Sequence, residues 1–336
     1  TGRITLGMLI GFTVIVFGHI RLKKFQHQGL VLELLGSVIS LISIYSGQNI
    51  YHLYPAIIGL FICSFVMLLL AYSSLVYEDK WLAFFGLVVG GITPIIVGSS
   101  NPSISGLYLY LLALCIGTLW LARYSNWHFL TPLALAIVSI YSANYWGMSS
   151  WYKNSFTLKE LLELRFYAVT FTSLFFFSNV VSVISSKKSQ IEHLITGLFV
   201  GLFSLAWINT VVHKDYQSLL SLLTAIVFAG ATQYIYRLTG QARPVYVYAG
   251  TSLLLLTAAT GYQFEGPQLV MAFTVIATVI PIISLQLLGG RLGIGLISYF
   301  LLPILLSLPS FSSYNWRAGI WHNDFYALTV VSIGLS

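Results

Sequence analysis

Residues 53–74 read LYPAIIGLFICSFVMLLLAYSS, a run without one charged side chain. A helix needs about 20 consecutive apolar residues to cross the roughly 30 Å hydrocarbon core of a bilayer, and this run is long enough. Its residues are apolar all round, so no face is set aside for water. The stretch is a membrane span. Similar runs fall at 4–20, 29–46, 81–98, 105–122, 128–147, 164–185, 194–212, 218–238, 244–262, 267–288 and 292–310. The connections are mostly short, which makes neighbours in sequence antiparallel hairpins. The expected fold class is all-α: a polytopic transmembrane helical bundle of about 12–13 spans, forming a single membrane-embedded region over 1–336.

Composition agrees. Of 336 residues, 57% are hydrophobic and only 7% are charged, against about 25% charged in a soluble domain. The first run has no basic segment ahead of it and no small-residue cleavage site behind it, so it reads as a span and not a signal peptide. The last run opens at Asp324 and reaches only Ser336, giving about 20 Å of helix. The sequence is therefore expected to be a piece of a longer protein.

Basic residues set the orientation. If the first loop is cytoplasmic, that side collects Arg21, Lys23, Lys24, Lys80, Arg123, Lys187, Lys188, Arg237, Arg243 and Arg291. The outer side holds Arg3, Lys153, Lys159, Arg165, Lys214 and Arg317. Ten against six predicts an outward amino terminus. The net charge of +7 is thereby explained as an insertion signal, with no basic cluster left over for nucleic acid.

The outer connections gather aromatic and amide residues: Tyr45, Asn49, Tyr51, His52 and Tyr54; Tyr141, Asn144, Tyr145, Trp146, Trp151 and Tyr152; Trp207, Asn209, His213 and Tyr216; Tyr314, Asn315, Trp316, Trp321 and His322. An aromatic belt at the headgroup level accounts for them. The inner loops are poorer in rings, and that asymmetry supports the other reading, an outward groove for a sugar or lipid headgroup. Its candidate binding residues are His52, Asn144, Trp146, Trp207, Asn209, His213, Asp215, Trp316, His322 and Asp324.

Trp207, His213, Asp215, Tyr216 and Leu219 match Trp316, His322, Asp324, Phe325 and Leu328 at an offset of 109 residues. The offset suggests four-helix repeat units near 1–104, 105–213 and 214–322. Asp215 and Asp324 each read as an N-cap that accepts from free backbone N–H groups. Each His–Asp pair offers two metal ligands where a site needs at least three. Cys63 and Cys115 lie inside apolar runs and read as packing residues, so neither metal nor cofactor is expected.

The segment 151–165 has amphipathic content. Thr157 and Glu160 stand at capping-box spacing, and the segment either rests on the outer interface or extends the seventh span. Four polar side chains fall at membrane depth: Glu33, Asn179, Gln233 and Gln286. Glu33 is expected to snorkel or to pair with a Lys or Arg at the cytoplasmic end, in preference to the other reading, a role in proton coupling, and the three amides to hydrogen-bond between helices. Pro94, Pro281 and Pro303 can kink their helices, and Gly90 and Gly91 allow close approach.

Catalytic motifs are missing from the sequence: it has no P-loop, no His-Glu-x-x-His and no Gly-x-Ser-x-Gly. The first outer loop, 47–52, holds no acid, which counts against glycosyltransferases that use an early acidic residue.

Three segments carry a resemblance to a known family. Gly2-Arg3 followed by Leu6-Gly7 is similar to the start of its membrane region. LVVGGITP at 87–94 resembles its Gly-Gly-Phe-Leu-Thr-Pro stretch. YVYAGTSLLLLTAATGYQFEGPQLVMAFTVI at 246–276 resembles a helix pair leading into a Trp-x-x-Glu motif, with Phe273 here in place of the Trp and Ile276 in place of the Glu. The family is the bacterial multi-pass membrane proteins grouped as domain of unknown function 2339. The resemblance implies a protein of the bacterial cytoplasmic membrane and brings no activity with it. Three functions stay open: a transporter or flippase-like protein for an envelope lipid or glycan, a non-catalytic scaffold for partner membrane proteins, or an enzyme acting on lipid-linked saccharide at the outer face. Membrane lipids are the common partner of all three.

Overall fold

The computed structural model describes residues 2–54, 56–96, 104–146, 157–186, 190–288, 298–311, 316 and 321–335. Among them the chain is helical and holds no strand. In chain order the helices are α1 (Gly2–Leu22), α2 (Gln26–Tyr45, continued by a π turn at Ser46–Ile50), α3 (Ala56–Val76), α4 (Lys80–Ile96), α5 (Ile104–Tyr124) and α6 (Leu130–Ala143). They continue as α7 (Leu158–Ser185), α8 (Ile191–Val211), α9 (Lys214–Thr239), α10 (Ala242–Gln263), α11 (Gly266–Leu288), α12 (Leu301–Phe311, preceded by a 3₁₀ turn) and α13 (Asn323–Leu335). Seven have the length and apolarity to cross a membrane, namely α1, α2, α3, α5, α7, α8 and α9. Shorter apolar helices are α4, α6, α12 and the stretch 266–282 of α11.

The seventh expected span begins six residues early, and the reason is local. Thr157 N–H donates to Glu160 Oε2 at 2.8 Å, and Glu160 N–H returns to Thr157 Oγ1 at 3.3 Å. This capping box closes the first turn at Leu158 and makes the amphipathic segment a continuous start to α7. The residues before it, 147–156, lie outside the described residues, as do residues 292–297 of the expected span at 292–310.

The chain divides into two compact units. The first comprises 1–144 with 152–167. Its core is built from Ile15, Leu22, Leu41, Ile44, Cys63, Val66, Leu70, Leu82 and Val89, while Leu6, Leu9, Val16, Phe17 and Ile20 of α1 are exposed. The polarity of a soluble helix is inverted here. Leucines face outward to where hydrocarbon would lie, and glycines face inward.

Those glycines explain the tightest contact of the unit. Gly11 and Gly18 on α1, and Gly29 and Gly36 on α2, each recur after seven residues, so each pair stays on one face. A Cβ added at Gly36 would lie 2.7 Å from both Gly11 O and Ile15 N, and one at Gly18 would lie 2.7 Å from Glu33 N. Without an aqueous hydrophobic drive between spans, such backbone proximity is what holds helices together in lipid.

Pro94 in α4 shows how the same unit treats a helix breaker. Lacking an N–H, proline leaves the carbonyl four residues back unpaired, and that carbonyl belongs to Gly90. Tyr110 Oη donates to Gly90 O at 2.7 Å, and Tyr141 Oη donates to Gly91 O at 2.5 Å. Neighbouring helices thus satisfy the freed backbone groups, as lipid requires. Pro303 lies in the first turn of α12, where no intrahelical bond is lost.

The second unit comprises 145–151 with 168–336. Phe176, Phe228 and Tyr248, from α7, α9 and α10, bring their rings together at 4.9–6.3 Å. Gly240, at φ 61°, ends α9 in the left-handed conformation open to glycine. Val270, Ala327 and Val331 pack α11 against α13.

Candidate functional site

The buried carboxylate of the first unit is Glu33, on the second turn of α2 and wholly shielded (0% exposed). It neither snorkels nor meets a Lys or Arg, contrary to the sequence expectation. Its ion-pair partner among the described residues is His19 of α1, with Nδ1 to Oε1 3.3 Å and a third of the imidazole exposed (32%). The antiparallel packing of α1 and α2 through Gly18 places the two on one level.

Ser73 of α3 completes the group. Its hydroxyl donates to Glu33 Oε1 at 2.8 Å and lies 2.8 Å from His19 Nδ1. A hydroxyl has one proton to give, so the serine donates to the carboxylate and accepts from the imidazole. Tyr72 stacks on the His19 ring at 5.9 Å, Tyr77 meets it edge-on at 5.1 Å, and Tyr77 Oη donates to the His19 carbonyl at 2.9 Å. Glu33 Oε2 is buried and has no hydrogen-bond partner among the described residues.

His19 escaped the sequence reading because one histidine near the end of an apolar span looks like an interfacial residue. The signal was present. Gly11, Gly18, Gly29 and Gly36 mark the contact face of each helix, and His19 and Glu33 adjoin it.

The second unit holds a polar group of different character. Asn179 of α7 donates through Nδ2 to the His193 carbonyl at 3.0 Å and to Tyr248 Oη at 2.9 Å, the interhelical role expected of it. Ser186 Oγ lies 3.1 Å from His193 Nε2, and Gln241 Nε2 donates to the Ser186 carbonyl at 2.9 Å. Gln233 is half-buried on α9. The side chain of Gln286 lies outside the described residues.

The outer-face candidates fall into separate places. Trp146 meets Trp207 edge-on at 6.3 Å and Phe203 at 5.7 Å, and Tyr145 stacks against Trp207 at 6.4 Å. Residues far apart in sequence thus form one cluster, and Trp207 is buried within it. Trp316 meets His322 edge-on at 4.5 Å, and His322 Nδ1 lies 3.7 Å from Asp324 Oδ2. Asn144 and Asn209 are exposed at helix ends. His52 is exposed in a left-handed turn at φ 48°.

Asp215 and Asp324 are not the N-caps that the sequence suggested. His213 occupies the cap of α9 in extended backbone, and Asp215 lies inside the first turn. At α13, His322 takes the cap position. Its ring Nδ1 accepts from Phe325 N–H at 3.3 Å, and its carbonyl accepts from Tyr326 N–H at 3.2 Å. Each aspartate acts instead as a negative charge in the first turn, where the helix dipole favours it. The two pairs differ in setting: His213 and Asp215 are 72% and 76% exposed, His322 and Asp324 13% and 8%. Among the described residues, His, Cys, Asp and Glu nowhere gather in a group of three that could hold a metal ion.

Rings are also present at helix ends that the basic-residue bias assigns inward. Trp81, Trp120 and Tyr124 are exposed there, with Trp120 and Tyr124 stacked at 5.5 Å. The asymmetry that favoured a groove over a belt is therefore weaker in three dimensions than in the loops alone.

Compared with known families, the chain matches DUF2339, described as a predicted membrane protein, over residues 1–334. It belongs to that family. DUF2339 membership brings membrane residence and no activity. Comparison with curated proteins and with solved structures gives no match. Two of the resembling segments have a clear structural role in this DUF2339 member. The glycines of 87–94 present the carbonyls that Tyr110 and Tyr141 cap, and 246–276 forms the hairpin of α10 and α11.

Proposed function

We propose that the protein is a transporter or flippase-like protein that handles an envelope lipid or glycan in the bacterial inner membrane, its amino terminus outward. One observation carries this reading: the Glu33–His19 pair sits in an apolar helix bundle, with its carboxylate wholly shielded. A buried ionisable group within a membrane span is costly, and such groups mark ion, substrate or proton pathways. A static scaffold needs no such group.

The ligand class rests on two further features. An apolar hollow of about 260 Å³, lined by Val38, Leu41, Ile42, Tyr45 and Ile96, has the character of an acyl-chain site. In the second unit, Trp316 offers a flat ring beside His322, the chemistry that suits sugars and headgroups.

The test is extraction of the protein in native-lipid discs, mass spectrometry of what stays bound, and reconstitution with the retained lipid in liposomes. One lipid or glycolipid retained in preference to bulk lipid, and moved between leaflets, supports the proposal. Bulk lipid alone, with a second membrane protein in tow and no movement, turns the assignment to the scaffold.

A further inference from the structure

We propose that His19, Ser73 and Glu33 form a proton-binding site with a built-in relay, and that the proton is the coupling ion of the transport reading above. The coupling role rests on that reading. The proton site stands on its own geometry.

The hydrogen-bond directions are set by chemistry. Ser73 gives its one proton to Glu33 Oε1 at 2.8 Å, so it can only accept from His19 Nδ1, also at 2.8 Å. Nδ1 therefore carries a hydrogen and Nε2 is left to exchange with the surroundings, which the partly exposed ring reaches.

A proton arriving at Nε2 makes His19 an imidazolium. The Nδ1 proton then passes to Ser73 Oγ as the serine's own proton passes to Glu33. The products are a neutral Nε2–H imidazole, an intact hydroxyl and a neutral carboxylic acid. One proton has entered, and the buried pair, previously a carboxylate beside a neutral ring, now carries no charge. The return path reverses each transfer. Glu33 Oε2, buried without a partner among the described residues, is the second oxygen on which the proton can rest.

Other charged and titratable groups on the surrounding elements are directed elsewhere. On α1 and the turn after it, the Arg21 guanidinium lies over the Phe17 ring at 5.1 Å, the Lys24 ammonium lies over Phe25 at 5.6 Å, and Lys23 is exposed. His27 on α2, Glu78 after α3 and Lys80 on α4 are exposed. Asp79 Oδ1 accepts from Trp81 N–H at 2.8 Å. On α3, Tyr77 gives its hydroxyl to the His19 carbonyl and Tyr72 offers its ring face to the imidazole. One carboxylate and one imidazole are too few ligands for a transition-metal ion, and the hydrogen-bonded chain from imidazole to carboxylate suits a proton, with sodium as the rival cation.

The experiment is infrared difference spectroscopy of the full chain in lipid nanodiscs, titrated in pH at fixed sodium and then in sodium at fixed pH. The expected result is a protonated-carboxyl C=O band that appears on acidification, is lost in Glu33→Gln, and ignores sodium. Ser73→Ala, which keeps the direct His19–Glu33 contact, should retain the band but slow its appearance after a pH jump. A band that Glu33→Gln leaves unchanged, no titrating band at all, or displacement by sodium overturns the site. The spectrum contains no transport step, so failure of the lipid-transport reading leaves it intact, and a flat spectrum removes the proton site even if lipid movement is found.

Discussion

The two units each bury a polar cluster between helices, and the clusters are built on opposite principles. In the first, Glu33, His19 and Ser73 hold an ionisable pair in place through the glycine contact of α1 and α2. In the second, Asn179 joins α7, α8 and α10 through neutral donors to the His193 carbonyl and Tyr248. A neutral amide with both N–H groups placed fastens helices at little risk, because its bonds to a carbonyl and a hydroxyl involve no charge. A carboxylate and an imidazole can exchange a proton, and each must be held against the cost of standing alone. The Asn179 contact is a fastener, whereas the first cluster can change state.

The largest effect should come from breaking the contact that positions the first cluster. Leucine at Gly36 would meet backbone atoms of Gly11 and Ile15, which cannot move without separating α1 from α2. Gly36→Leu should cost more than about 3 kcal/mol, the upper end of overpacking penalties, and should abolish the His19–Glu33 contact as well. The corresponding position of the second cluster, Gly197, faces only side-chain atoms: Tyr248 Cε2 at 3.2 Å and Asn179 Nδ2 at 3.3 Å. Gly197→Ala should therefore cost much less, and equal losses in detergent-micelle unfolding would erase the contrast between the units.

His19→Ala comes next. It removes the imidazole from beside a buried carboxylate, and losing a hydrogen-bond partner of a charged group costs about 1.5–3 kcal/mol. The double variant His19→Ala/Glu33→Leu removes the stranded charge along with its partner and should recover most of that loss. A double variant as unstable as the single one would mean that the pair contributes packing more than charge.

The amino-acid sequence makes the frame of this molecule readable and its chemistry only partly so. Long uncharged runs such as 53–74 and the Thr157–Glu160 capping box depend on composition and short spacing, and both appear in the structure as read. Asn179 was legible too, since an amide in an apolar span has few other uses. What escaped was partnership across helices. Glu33 was visible, but its partner lay 14 residues away on a helix whose register had to be known first, and the heptad of glycines that sets this register was the unused clue. The N-caps lie two residues before the aspartates expected to supply them: the backbone is extended at His213, and the His322 ring and carbonyl accept from the first turn of α13.

In the second cluster the effects should be smaller and local. Asn179→Leu loses two interhelical hydrogen bonds, each worth about 0.6 kcal/mol on average in membrane bundles, so a loss of about 1 kcal/mol is expected in the same unfolding assay.

Tyr248→Phe is the mildest and the most discriminating change. The ring packs against Phe176 and Phe228 and is kept, so only the hydroxyl that accepts from Asn179 is removed. Asn179 retains its bond to the His193 carbonyl at 3.0 Å, and the expected loss is a single bond, about 0.6 kcal/mol. Measured in Asn179→Leu, the same substitution should cost close to nothing, because its partner is already gone. A Tyr248→Phe penalty that persists in that background would show the hydroxyl serving something other than Asn179. The second cluster would then have to be regarded, like the first, as more than a fastener.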